Sequence, residues 1–97
     1  MLMIEKNKIK QLCKKHNVET LYLFGSATND TFTTKSDVDL LVRFKKIDLA
    51  QYFTNYISLK EKLDELFKRE VDLVEEQTLK NPIFIKSINK NKELIYG

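Results

Sequence analysis

The segment Asp37-Val38-Asp39-Leu40-Leu41-Val42-Arg43-Phe44 constrains the fold more than any other part of the chain. Successive side chains of a strand point to opposite faces, so Val38, Leu40, Val42 and Phe44 share one face. Asp37, Asp39, Leu41 and Arg43 share the other. A strand with one wholly apolar face needs a core layer against that face, which implies helices packed on a sheet. The opposite face begins with two carboxylates two residues apart, about 6.5–7 Å along the strand. Aspartate is disfavoured in strands, and the placement needs a reason.

The rest of the chain supplies the remaining elements. Thr20-Leu21-Tyr22-Leu23-Phe24 is apolar on both faces and reads as a central strand ending at Gly25. Residues 26–35 are polar and turn-like, with Ser26 suited to cap one helical turn. Leu2, Ile9, Leu12 and Cys13 form a partial helical stripe over residues 2–16, with His16 at its end and Asn17 as the stop. Residues 48–68 carry Leu49, Tyr52, Phe53, Tyr56, Ile57, Leu63, Leu66 and Phe67 at three-four spacing, the strongest helix pattern present. By that spacing Tyr52, Phe53 and Tyr56 are expected in the core. Glu70-Val71-Asp72-Leu73-Val74 reads as a strand with Asp72 and Val74 on one face. Pro82 opens a last helix to about Lys90 with Asn81 as N-cap, and Leu94-Ile95-Tyr96 reads as a short terminal strand or packed tail. The expected fold is α/β (α+β), a mixed sheet flanked by helices, in one domain over residues 1–97.

Composition narrows the class. The chain has 97 residues, 32% of them charged and 42% hydrophobic, which fits a soluble globular domain. No apolar run approaches the roughly 18 residues of a membrane span, and the start lacks a secretory pattern. One cysteine, Cys13, excludes an internal disulfide and fits a reducing cytoplasm, the expected location. The net charge of +3 comes from scattered residues, so direct nucleic-acid binding is not expected. The locally basic run Lys86–Lys92 reads as a solvated helix face.

If the strand holding Asp72 returns beside the strand holding Asp37 and Asp39, the three carboxylates converge. Like charges at 4 Å repel by about 1 kcal/mol in water and about 4 kcal/mol near a protein surface, so such a cluster calls for a cation. Oxygen-only ligands favour Mg²⁺ or Mn²⁺. Gly25 lets backbone approach a ligand closely, and Ser26 offers a hydroxyl and N–H groups to an anion. Together these residues outline a pocket for a nucleoside triphosphate.

Phe24-Gly25-Ser26, ten residues, then Asp37-Val38-Asp39-Leu40 resembles the Gly-Ser-x10-Asp-x-Asp signature of the polymerase-β-like nucleotidyltransferases. The chain's size and its Val71-Asp72-Leu73-Val74 strand resemble the minimal (MNT) branch, encoded beside HEPN-domain partners. The resemblance implies a nucleotidyltransferase-like mixed sheet with Asp37, Asp39 and Asp72 as catalytic residues and metal ligands. It implies that Gly25 and Ser26 grip the nucleotide, and that Mg²⁺ (or Mn²⁺) and ATP serve as cofactor and substrate. By the same resemblance the protein is an antitoxin that transfers AMP to a tyrosine of a HEPN ribonuclease toxin. The alternative it carries is a catalytically weak or inactive antitoxin that neutralises its partner by binding alone. A homo-oligomer is left open. Relatives commonly follow Gly-Ser with a small residue and then Arg-Gly; here Asn29 and Asp30 stand at the matching positions. The motif thereby lacks a cation near the phosphates, and Lys35 and Arg43 read as surface charges.

Overall fold

The computed structural model describes residues 5–25 and 37–97. Helix α1 (Lys6–Lys15) leads into strand β1 (Val18–Phe24), followed by β2 (Val38–Phe44) and the long helix α2 (Leu49–Phe67). Strand β3 (Val71–Glu75), a short 3-10 turn (Glu76–Thr78), helix α3 (Pro82–Asn91) and strand β4 (Glu93–Tyr96) complete the chain. The sheet order is β3-β2-β1-β4. β1 pairs antiparallel with β2 and β4, whereas β2 and β3 run parallel, as the α2 crossover requires. The fold is therefore the mixed sheet flanked by helices that the patterning implies, and residues 94–96 lie within strand β4.

One face of the sheet holds the main core. Val38, Leu40, Val42 and Phe44 of β2 pack with Ile9 and Cys13 of α1 and with Leu59, Leu63 and Phe67 of α2. Val18, Leu21 and Leu23 of β1 join them. A register shift between Val18 and Thr20 inserts an extra residue, which is why Val18 and Leu21 reach the same face despite their odd spacing. Burial pushes the Cys13 thiol up to about 12, so it behaves as a small apolar core residue. His16 lies buried where α1 meets α2: its Nδ1 donates to the Leu12 carbonyl (2.7 Å) and its Nε2 is hydrogen-bonded with the Ser58 hydroxyl (3.0 Å). The Leu12 oxygen can only accept, so Nδ1 carries a proton. The chain then turns at Asn17, the expected stop, in a left-handed conformation (φ 58°).

Helix α2 departs from its expected burial. Leu49, Phe53 and Ile57 are 87%, 72% and 37% exposed, while Leu59, absent from the apolar stripe read in the sequence, is fully buried. The reason is facing: Leu49, Phe53 and Ile57 lie at four-residue spacing on the outer side of α2, while Tyr52, Tyr56, Leu59 and Leu63 lie on the side turned to the sheet, where Tyr52 meets Phe44 edge-to-face. Phe53 is thus not a core residue, whereas Tyr52 and Tyr56 are partly buried against the core. These tyrosines also close the outer edge of β3. Tyr56 Oη donates to the Leu73 carbonyl (2.6 Å), Tyr52 Oη donates to the Glu75 carboxylate, and Asp64 Oδ1 accepts from the Val71 N–H (2.8 Å). These contacts engage the Leu73 carbonyl and the Val71 N–H on the outer edge of β3, covering part of it as proteins do to discourage pairing with another chain.

The second face has a smaller apolar cluster. Phe24, Leu41 and Ile88 form it, with Tyr22, Val74 and Leu79 packed against them. Helix α3 supplies Ile88, and its start is fixed as expected: the Asn81 side chain accepts from the N–H groups of Ile83 and Phe84 (3.0 and 3.4 Å) ahead of Pro82 at N1.

Candidate active site

The ladder across the second face explains where the carboxylates go. Tyr22, Leu41 and Val74 lie opposite one another in one row across β1, β2 and β3. The next row is Phe24, Asp39 and Asp72. Helix α3 covers the first row through Ile88. The polar row lies one pleat further, about 6.5–7 Å along the strands. Asp39 and Asp72 thus stand side by side on neighbouring strands at the end of the sheet, spaced by the roughly 4.8 Å between strands. Asp37 precedes β2 instead of lying within it, as the sequence reading had placed it. The backbone pairing begins only at Val38, whose N–H is held by the Glu70 carbonyl (3.0 Å).

The electrostatics follow from this crowding. Burial raises the Asp39 pKa above its ordinary value, and the charges of Asp72 and Asp37 raise it further. All three influences oppose ionisation, as burial and neighbouring like charges must. Arg43 does not correct this. It lies two pleats along β2 and is engaged by Glu19 (3.7 Å) and Glu76 (3.5 Å), in keeping with its reading as a surface charge.

Gly25 bears directly on the carboxylates. Its φ of +74° lies in the region that disfavours side chains, and a Cβ built there would collide with Oδ2 of Asp39. The backbone at the end of β1 therefore packs straight against the Asp39 carboxylate. Ser26, Asn29, Asp30 and Lys35 lie outside the described residues.

The donor chemistry fits a hard divalent cation, being carboxylate oxygen throughout. Among the described residues no three His, Cys, Asp or Glu side chains form a closed set around one ion position. Mg²⁺ in particular is held by one or two carboxylates together with substrate phosphates, in place of an all-protein cage. A pair such as Asp39 and Asp72 suits that division.

The neighbouring of the Asp39 and Asp72 strands is as expected, and the register adds that these two residues face each other. One feature escaped the sequence reading: Ser87 and Asn91, within the run read as a solvated helix face, line with Phe84 a cleft beside Gly25. A wider hollow of about 750 Å³ lies between α1 and the end of α2, against the core face and away from the carboxylates.

Residues 7–97 match the family described as polymerase beta, nucleotidyltransferase. The chain belongs to this nucleotidyltransferase family. It is 34% identical over 98 residues to a Methanocaldococcus jannaschii protein whose name places it among the protein adenylyltransferases, covering 93% of this chain and 95% of the relative. Among solved structures, a toxin–antitoxin with AMP-PNP superposes with a TM-score of 0.74 at 24% identity, covering 97% of this chain and 74% of that one. A complex of tri-AMPylated Shewanella oneidensis HEPN toxin with MNT antitoxin gives a TM-score of 0.67 at 22% identity, covering 100% and 73%. At those identities the structural likeness establishes the fold. The nucleotidyltransferase identity rests on the family match.

Proposed function

We propose that the protein transfers AMP from ATP to a tyrosine hydroxyl of a HEPN-type toxin, and so acts as its antitoxin. The observation that carries the reading is the Asp39–Asp72 pair across β2 and β3, with the Gly25 backbone packed on the Asp39 carboxylate. The naming of the M. jannaschii relative and the AMPylated HEPN toxin held by its MNT antitoxin support it.

Asp39 and Asp72, with Asp37 just ahead of β2 in the chain, are the residues that would hold Mg²⁺ or Mn²⁺, which would supply positive charge to the triphosphate and to the departing pyrophosphate. Gly25, whose missing side chain lets the end of β1 close on the Asp39 carboxylate, would offer its backbone to the phosphates, with Ser26 beside it in sequence as a further phosphate contact. The acceptor oxygen forms a bond to the α-phosphorus, the α–β phosphoanhydride bond breaks, and pyrophosphate departs. Asp72, exposed at its end of β3, takes the phenolic proton. The chain's part is to position the reacting groups and to provide oxygen ligands.

Intact-mass measurement of the HEPN partner after incubation with ATP and Mg²⁺ tests this. AMP units should appear on the partner and fall at least ~100-fold with Asp37→Asn/Asp39→Asn, the scale of losing a main electrostatic element of the site. A partner neutralised without gaining AMP sinks the proposal. That outcome would favour the second reading, an antitoxin acting by contact alone, to which the engagement of Arg43 by Glu19 and Glu76 lends weight.

A further inference from the structure

Between the end of β1 and helix α3 lies a cleft of about 220 Å³, lined by Phe24, Gly25, Phe84, Ser87, Ile88 and Asn91. The last four follow i, i+3, i+4, i+7 spacing and so form one stripe of α3. Its apolar wall is built from the edge-to-face pair Phe24–Phe84 (centroids 6.5 Å apart, planes at 75°) and the buried Ile88. The Ser87 hydroxyl and the Asn91 amide lie one helical turn apart on the same stripe. A slot with an aromatic and aliphatic wall, lined on its open side by the exposed polar residues Ser87 and Asn91, suits a planar heteroaromatic ring. Its volume is below the roughly 300 Å³ at which drug-sized pockets begin, so it holds one ring system and not a whole nucleotide.

The cleft is continuous with the candidate active site. Gly25 forms part of its wall, and the same glycine lies against the Asp39 carboxylate. A triphosphate at the carboxylates therefore has the cleft beside it for the rest of the molecule.

We infer that this cleft receives the purine base of the nucleotide, with Asn91 reading its edge and adenine preferred to guanine. The inference rests on the triphosphate site proposed above. An amide presents one acceptor and one donor side by side, and adenine answers with its N6 amino group and N7. Guanine offers two acceptors on that edge, O6 and N7, which leaves the amide oxygen facing an acceptor. Ser87 adds a hydroxyl that can donate or accept.

Calorimetric titration of the full chain in Mg²⁺ with ATP, GTP and inorganic tripolyphosphate decides it. Wild-type protein should bind ATP more tightly than GTP or tripolyphosphate. Asn91→Ala, and Ser87→Trp, which fills the cleft, should each weaken ATP about tenfold. Both should leave tripolyphosphate affinity unchanged, which also reports an intact fold. Unchanged ATP affinity in both variants overturns the base site and leaves the triphosphate site standing. GTP bound as tightly as ATP overturns the reading of the edge by Asn91. Wild-type protein that binds neither ATP nor tripolyphosphate overturns both proposals.

Discussion

The two faces of the sheet are built from alternate residues of the same strands, yet they are finished differently. On one face Val38, Leu40, Val42 and Phe44 are closed over by α1 and α2 from end to end of β2. On the other, α3 closes over the row of Tyr22, Leu41 and Val74 and over Phe24 in the next, which ends in Asp39 and Asp72. The first face concentrates apolar burial, the main source of folding free energy. The second gives up part of that burial and sets two neighbouring carboxylates, Asp39 and Asp72, at its end. Stability and chemistry are thus divided across the thickness of one sheet.

Adjacent leucines test the division. Leu40 and Leu41 are both essentially buried but point to opposite faces. Leu40→Ala should cost about 3–5 kcal/mol in chemical denaturation, since it empties the centre of the larger core. Leu41→Ala should cost less, about 2–3 kcal/mol, because its cluster is small and α3 can settle into the space. The decisive readout is nucleotide binding under folding conditions. Leu40→Ala should leave ATP affinity unchanged, and Leu41→Ala should weaken it by displacing Ile88 and the α3 stripe. Equal effects on affinity would mean the faces are not separate in function.

Gly25 joins the two roles at one residue, and Gly25→Ala should show both. A non-glycine residue at its positive φ costs roughly 1–2 kcal/mol. The added Cβ must also displace the Asp39 carboxylate. Thermal denaturation should register the first effect as a modest loss. AMP transfer to the partner should fall far more, by tenfold or beyond, because a misplacement near 1 Å can cost about 100-fold in rate. A variant with normal transfer would show that the glycine serves the turn alone.

How much of this was legible in the sequence follows the same line between the faces. The core face of β2 was readable because period-two alternation is local, and the start of α3 because Asn81-Pro82 is a local signal. The burial of α2 was misread at Phe53, which was read into the stripe, and at Leu59, which was left off it. Two apolar rows, Leu49-Phe53-Ile57 and Tyr52-Tyr56-Leu59-Leu63, run along the helix, and spacing alone does not say which one meets the sheet. That the Asp72 strand returns beside β2 was legible from the long helix between them, whereas the register that sets Asp39 opposite Asp72 is fixed by the parallel pairing itself. The cleft on α3 was hidden because Ser87 and Asn91 stand in a basic, polar run whose other side chains are solvated.

The smallest expected effect concerns the metal-free protein alone. Asp39 has its pKa raised on folding, by burial first and then by Asp72 and Asp37. A carboxyl group with a raised folded pKa binds protons more readily in the native state than in the unfolded one. Its ionisation therefore destabilises the fold: the penalty is full above the raised value and vanishes below the ordinary one, 3.8. Asp39→Asn removes that penalty and should raise the melting temperature at neutral pH by a few degrees. The difference from wild type should shrink as pH falls through the raised value and approach zero near the ordinary one. Mg²⁺ with ATP should reverse the order at neutral pH, stabilising wild type and not the variant, because only ionised Asp39 can serve as a ligand. A variant less stable than wild type at every pH, without nucleotide or metal, would show that Asp39 is a structural residue. The second face would then be only a less complete copy of the first.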